Sequence, residues 1–152
     1  MLPIAQITEV LKIKLARIVP IPQMPPWVMG VHNWRGDLLW MVDLGHLLGL
    51  NSRYRRGQFP ADQLQTEIDF GDCNVVILSP NKAIPQTENE IHLGLVVYKV
   101  EDLEECSLKE IQPTSDKTVG KIADFASGYW IESEAEIVSI LDGNAIARAM
   151  PT

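Results

Sequence analysis

The chain of 152 residues lacks the features that mark membrane and secreted proteins. Its apolar runs fall short of the roughly 18 residues that a membrane-spanning helix needs, and no charged-then-apolar secretion signal opens the chain. Cysteine is scarce: Cys73 and Cys106 are too few and too far apart for a metal or redox motif. We therefore expect a cytoplasmic protein without direct membrane insertion, in which Cys73 is a small core residue and no disulfide forms.

Cationic residues are also in the minority, and their distribution is uneven. The net charge is −7, with seven Lys/Arg against three Asp/Glu in residues 1–57 and six against seventeen in residues 58–152. An acidic chain is poorly suited to nucleic acids, whose phosphates need clustered cations. A basic half beside an acidic half favours charged protein partners instead. The 46% hydrophobic content is enough for the core of one domain or two very small ones.

Catalytic motifs are missing as well: we find no phosphate-binding loop, serine elbow or paired-carboxylate signature. Asp43 and His46 are three residues apart on a predicted helix, a spacing that can share a metal ion. Two such residues without a third ligand rarely bind a metal ion. A helix cap accounts for Asp43 without any metal. We expect no cofactor and no metal, and a small metal-dependent enzyme is the alternative that elemental analysis would decide.

What the chain does contain is an informative central stretch, residues 30–44. Gly30 and Gly36 bracket a short polar segment and predict backbone angles or close approaches that side chains would block. The apolar run from Leu38 to Val42 has the length of a buried strand. Asp43 then stands where a helix N-cap is wanted.

Short strands dominate the rest of the prediction. The patterns predict a turn of helix running into a strand over residues 4–14, a proline-rich connector with a short helix at Trp27–Met29, strands at 74–78 and 91–97, a hairpin from 129–131 and 136–141, and a terminal helix at 144–149 capped by Asp142. Many short strands with few helices indicate two small β-barrels.

The order of these motifs resembles the CheW family of chemosensory adaptors over nearly the whole chain. The Asn-x-Arg-Gly turn at residues 33–36, the following strand and the Val-Asp-Leu at 42–44 are its most specific part. Weaker likenesses are the early segment around Ile7 and Glu9, the turn ending at Gly30, the stretch beginning at Gly94, and the closing strand and helix. Trp34, Trp40 and Tyr98 depart from the residues usual in the family.

The resemblance implies an all-β fold: one CheW-like domain over residues 1–152, made of two SH3-like five-stranded barrels that are interleaved in sequence and share a hydrophobic seam. A connector lies near residues 51–72. Family members have a strand or two before the segment matching Leu2. Either the recorded start lies inside the gene product, or the first barrel has fewer strands and an exposed edge.

The resemblance also implies a role without catalysis. Such an adaptor couples the cytoplasmic tip of a methyl-accepting chemoreceptor to the regulatory domain of a CheA-type histidine kinase, in chemotaxis or pilus-driven motility. The receptor helix would lie in the groove between the barrels, and the kinase would pair barrel to barrel. The alternative within the family is a CheW-like regulatory module of a larger signalling protein.

Four residues are the candidate partner-binding residues. Arg35 can make forked hydrogen bonds to a partner carboxylate, or else an internal salt bridge that steadies its turn. Trp34, beside Arg35 in the turn, is the tryptophan best placed for contact with a partner. Glu9 matches a family position near a partner surface but also fits an ordinary exposed carboxylate, and Ile7 fits docking or, more simply, core packing.

Four further residues are predicted to be structural. They are Gly30, Gly36, Asp43 and Gly94. Trp40, in the middle of an apolar run, is predicted to lie in the core.

Overall fold

The computed structural model describes residues 1–50, 71–79, 92–114, 120–134 and 136–151. Besides two 3₁₀ turns at Ile4–Gln6 and Leu15–Arg17, these ranges contain seven strands and three short α-helices. In chain order they are β1 (Ile7–Lys14), β2 (Val28–Trp34), β3 (Asp37–Asp43), α1 (Leu44–Leu47), β4 (Asp72–Leu78), β5 (Leu93–Val97), α2 (Ile122–Phe125), β6 (Ala126–Ser133), β7 (Glu136–Leu141) and α3 (Gly143–Arg148). The all-β fold class predicted from the sequence is confirmed.

Five of the strands form the larger sheet, in the order β1-β4-β5-β3-β2. Only β3 and β5 run parallel, and the other neighbours are antiparallel. The outer edge of β2 is covered by Val19, which exchanges two backbone hydrogen bonds of 2.8 and 2.9 Å with Val31. The chain that follows β1 therefore crosses one face of the sheet to reach β2 at the opposite edge, and the sheet curves around it.

The smaller sheet is the hairpin of β6 and β7. Gln112 pairs with Tyr129 on the outer side of β6. On the outer side of β7, the Met1 amine donates to the Ser139 carbonyl at 2.8 Å, and the Leu141 amide donates to the Met1 carbonyl at 2.9 Å. The beginning of the described chain therefore lies against its last strand.

The larger sheet is apolar on both faces. Side chains alternate along β4, so that Val75 and Ile77 point to one face while Val76 and Leu78 point to the other. The inner cluster, on the face covered by residues 15–19, consists of Ile13, Ile18, Leu39, Met41, Cys73, Val75, Ile77 and Val96. The seam cluster, on the opposite face, consists of Val42, Leu47, Val76, Leu78, Leu93, Leu95, Leu141 and Ile146. Its members from α1, β7 and α3 bring the smaller sheet and the helices onto the larger one.

A β-bulge lets β1 contribute to both faces. The register with β4 shifts between Ile7 and Glu9, which leaves Thr8 as the extra residue. Before the bulge, Ile7 packs against the seam cluster, whereas after it Leu11 packs against the inner cluster. Without the bulge, Ile7 and Leu11 would lie on the same face.

Side-chain caps begin two of the helices. The Asp43 carboxylate accepts from the His46 amide at 3.0 Å, and the Asp142 carboxylate accepts from the Asn144 amide at 2.9 Å. Each aspartate ends a strand and starts a helix, as its sequence pattern predicts. Gln6 adds a link between the sheets, because its side-chain oxygen accepts from the Gly143 amide at 2.9 Å while its carbonyl accepts from the Ser79 amide at 3.0 Å.

Two glycines are required by close packing. A Cβ on Gly30, whose φ is 140°, would overlap the Val19 carbonyl oxygen and stand 2.6 Å from the Val19 carbonyl carbon. A Cβ on Gly94 would stand 2.7 Å from the Met41 sulfur. Gly30 lets the backbone at Val19 approach β2 closely. Gly94 leaves room for Met41 in the inner cluster.

Three local predictions are wrong. The short helix at Trp27–Met29 is absent, because Val28 pairs with Val42 as the first residue of β2. The turn expected at residues 33–36 is confined to Arg35 and Gly36, because Asn33 and Trp34 still pair with β3. Leu38 belongs to a predicted buried run but is 61% exposed. Residues 51–70 of the predicted connector near 51–72 lie outside the described residues. At its end, Asp72 is already the first residue of β4.

Replacing Gly30 by alanine should lower the free energy of unfolding by about 3 kcal/mol, because the new methyl group forces backbone apart. Urea denaturation followed by circular dichroism measures this. The matched control is Gly120→Ala: Gly120 also has a positive φ, 81°, but nothing lies within 4 Å of its Cβ position. Its cost should be about 1 kcal/mol, from backbone strain alone. Equal losses in the two variants would contradict the packing argument.

The two cysteines should differ in reactivity. Cys73 is 1% exposed, its thiol donates to the Ile13 carbonyl at 3.2 Å, and burial raises the pKa of that thiol. Cys106 is a free thiol that is only partly buried. A thiol reagent should therefore modify one residue of the native protein quickly and both residues in urea. In Cys106→Ser the fast phase should vanish, and a fast phase that survives in this variant would contradict the burial of Cys73.

Candidate functional site

The turn between β2 and β3 holds Arg35 at the tip of a two-residue hairpin. Trp34 pairs with Asp37, and the two loop residues both have positive φ angles, 53° for Arg35 and 91° for Gly36. Two consecutive positive values are the mark of a type I′ turn, which matches the twist of the flanking strands. The Gly36 amide also donates to the Asn33 side-chain oxygen at 3.3 Å. The Asn-x-Arg-Gly motif thus contains the residues that form this turn and hydrogen-bond within it.

Arginine is an unusual choice for the first loop position. Glycine, asparagine and aspartate adopt the left-handed region most readily, and other residues are strained there by about 1–2 kcal/mol. Strain of this kind concentrates at functional sites, where surrounding structure holds it. The strained Arg35 therefore marks the hairpin tip as the candidate site.

The Arg35 guanidinium is exposed but held from two sides. One of its terminal nitrogens donates to the Glu9 carboxylate at 2.9 Å, and the two side chains are 68% and 34% exposed respectively. The guanidinium carbon lies over the Trp34 ring, 5.0 Å from its centroid. An ion pair and a cation–π contact thus fix the direction of a charge that remains open to solvent.

A series of side-chain contacts connects Trp34 to Thr8 through His92 and Ser79. The His92 ring meets Trp34 edge-on, with centroids 5.5 Å apart and an interplanar angle of 62°. His92 Nδ1 is 2.8 Å from the Ser79 hydroxyl, which accepts a 2.8 Å hydrogen bond from the Thr8 hydroxyl. The Ser79 hydroxyl therefore connects the Thr8 hydroxyl to the His92 ring.

The structure brings together three of the four predicted partner-binding residues, Arg35, Trp34 and Glu9. Ile7 lies apart from them, half-buried against the seam cluster on the other side of the bulge. Trp34 is also less exposed than predicted, since it closes β2 and packs partly against the inner cluster. Trp40 packs against the seam cluster, in keeping with the core position expected of it.

Sequence reasoning missed Thr8, Ser79, His92 and Leu38. The first three residues carry no local signal, because they meet only through the pairing of β1, β4 and β5. Leu38 pairs with Asn33 on the hairpin. Its position two residues after the turn was the available signal, since the tip of a hairpin extends beyond the part of the sheet that is buried.

Asp43 and His46, whose spacing could share a metal ion, lie at the start of α1. Asp43 is 4% exposed and its carboxylate is engaged in the cap of α1, where it accepts from the His46 amide. Within the ranges that the structure describes, no group of three His, Cys, Asp or Glu side chains is placed to bind a metal ion. Among the helices of those ranges, none is long and apolar enough to cross a bilayer.

The ion pair between Arg35 and Glu9 should contribute little to stability, since exposed pairs are worth about 0–1 kcal/mol. In a double-mutant cycle with Arg35→Asn and Glu9→Gln, we expect a coupling free energy below about 1 kcal/mol from urea unfolding. The Arg35→Asn variant should itself be at least as stable as the parent, because asparagine suits the positive φ of the turn. A strongly destabilised Arg35→Asn protein would mean that the arginine is needed mainly to hold the turn.

Comparison with known proteins agrees with this architecture. A solved structure, the scaffolding protein TtCheW from Thermoanaerobacter tengcongensis, superposes with a TM-score of 0.66 at 21% sequence identity, over 92% of this chain and 78% of that one. That likeness shows the fold, a pair of SH3-like β-barrels. No match was found among curated proteins. The family model described as the CheW-like domain matches residues 1–150. The chain therefore belongs to the CheW-like domain family.

Proposed function

We propose that this protein is a non-catalytic scaffold that couples the cytoplasmic tip of a chemoreceptor to a CheA-type histidine kinase in chemotaxis or pilus-driven motility. Membership of the CheW-like family over residues 1–150 supports the class of function. The observation that carries the proposal is the exposed Arg35 guanidinium, held on a strained turn by Glu9 and Trp34. Such a scaffold works in the cytoplasm, at receptor arrays.

The hairpin tip has the chemistry of a contact surface. Glu9 binds one terminal nitrogen of Arg35, and the rest of the guanidinium faces solvent with its fork of donors available to a carboxylate. Leu38, 61% exposed on the other face of the same hairpin, leaves apolar area near the tip but not against the guanidinium. The charged group itself suits a helix that carries a carboxylate, as expected of a receptor tip.

The Ser79–His92 pair supports a structural rather than a catalytic role. A catalytic serine must present its hydroxyl to a substrate. Ser79 is only 7% exposed, and its hydroxyl is also hydrogen-bonded to that of Thr8 at 2.8 Å. The pair therefore joins β1, β4 and β5 and does not present a nucleophile.

Signal transmission in such a scaffold is a matter of linked binding equilibria. A protein that binds receptor and kinase at different surfaces raises the local concentration of each for the other. A change of receptor state then alters kinase output through the coupling free energy between the two interfaces. We assign the receptor to the hairpin tip and the kinase to barrel-to-barrel packing.

The direct test uses purified receptor cytoplasmic fragment and kinase regulatory domain from the same organism. The kinase domain should co-sediment with the receptor fragment only when this protein is present. Failure of the protein to bind either component would overturn the proposal. A pull-down from native lysate, read by mass spectrometry for a receptor or histidine kinase, identifies the pair to be used.

Arg35→Asn should weaken binding to the receptor fragment about 10- to 100-fold, the loss expected when a charge-assisted hydrogen bond is removed. Isothermal titration calorimetry gives the dissociation constant, and the asparagine keeps the turn folded. Arg148→Gln is the matched control, because Arg148 is also exposed and also near a carboxylate, Asp142, at 3.8 Å, but belongs to α3. Equal weakening by the two variants would point to general charge attraction and not to a site at the hairpin tip.

A further inference from the structure

We propose that Thr8, Ser79 and His92 are positioning residues, which hold the Trp34 ring so that it aims the Arg35 guanidinium at the partner. This inference deepens the function proposed above and rests on it for the identity of the partner. It concerns residues that no sequence motif singles out. It also assigns to Trp34 the role of a platform beneath the binding residue.

The argument begins with a closed circuit of contacts, which we call the contact ring. Each member touches the next through a covalent bond, a hydrogen bond, a ring contact or an ion pair. Its members in order are Glu9, Thr8, Ser79, His92, Trp34 and Arg35, and Arg35 returns to Glu9. A closed circuit restrains each member from two directions, so no member can turn away without breaking a contact.

The members come from different elements, which ties the ring to the barrel. Thr8 is the bulged residue of β1, Ser79 directly follows β4, His92 directly precedes β5, and Trp34 ends β2. Each of these four residues therefore belongs to a paired strand or directly adjoins one, and the Ser79 amide also donates to the Gln6 carbonyl at 3.0 Å. The side-chain contacts therefore transmit the rigidity of the sheet to an exposed side chain at the hairpin tip.

Ser79 connects Thr8 to His92, because a hydroxyl can accept one hydrogen bond and donate another. Its oxygen lies 2.8 Å from the Thr8 hydroxyl and 2.8 Å from Nδ1 of His92. Held on this side, the His92 ring stands edge-on to Trp34, the geometry that aromatic pairs prefer.

Positioning matters because an arginine side chain loses conformational entropy when it is immobilised. If the hairpin tip were unrestrained, this entropy would be lost when the partner binds, and the affinity would be lower. The contact ring orders the guanidinium beforehand, so that a partner carboxylate meets a group whose orientation is already set. The site therefore favours a partner with a single carboxylate that can accept from the open edge of the guanidinium.

The test reads the position of Arg35 directly by nuclear magnetic resonance. In the parent protein the Trp34 ring should shift the Arg35 side-chain proton resonances upfield. Thr8→Val and His92→Gln should reduce this shift, although neither changes Trp34 or Arg35. Trp34→Leu should abolish the shift, and the conservative Trp34→Phe should restore part of it. The Arg148 side-chain resonances are the internal control and should not move.

Unchanged Arg35 resonances in folded Thr8→Val and His92→Gln proteins would overturn the positioning role. Thr8 is exposed and valine has nearly its shape, so this variant should fold even where His92→Gln does not. Urea denaturation of both variants establishes the folded fraction. A loss of shift accompanied by an equal loss of folded protein would also count against positioning and in favour of a purely structural role.

Binding gives the second readout. Thr8→Val should weaken binding to the receptor fragment about five-fold, as expected when one ordered side chain loses its support. Unchanged affinity in a variant with a reduced shift would overturn the functional part of the inference. If the parent protein itself does not bind the receptor fragment, the proposed function fails, while the resonance experiment still decides whether the contact ring positions Arg35.

Discussion

Burial of the larger sheet on both faces is the constraint on which the rest of the structure depends. The central strands β4 and β5 supply apolar side chains to the inner cluster and to the seam cluster at alternate positions. A sheet of this kind needs cover on both sides, because each apolar face gains free energy only when it is removed from water. Residues 15–19 cover one face. The helices and β7 cover the other, so the two sheets associate through the core itself.

The same constraint positions the hairpin tip. The parallel pairing of β3 with β5, the middle strand, anchors the hairpin to the sheet, and β2 is held on its outer edge by Val19. With both strands fixed, the connecting turn has little conformational choice, and an arginine in the left-handed region is maintained by the packing around it. The strain at Arg35 is thus a local cost that the stability of the sheet offsets.

Local chemistry explains which features the sequence could predict. The caps by Asp43 and Asp142 depend on residues two or three positions away, and the hairpin of β6 and β7 follows from alternation and spacing. Features formed by distant residues were out of reach. The contacts among Thr8, Ser79 and His92 join three strands, and prolines near Trp27 favoured a helix that pairing of Val28 with Val42 overrides. The exposure of Leu38 likewise depends on where the sheet ends.

The side chain of Gln6 gives the molecule a short mechanical connection. Its amide oxygen binds the first turn of α3, its carbonyl binds the residue after β4, and only two residues separate it from Glu9. A shift of the small sheet against the large one would pull on this point. Only Ile7 and Thr8 lie between this point and Glu9, and Ile7 is paired with Leu78 in β4. The contact of Gln6 with α3 is therefore three peptide bonds away from the residue whose carboxylate binds Arg35.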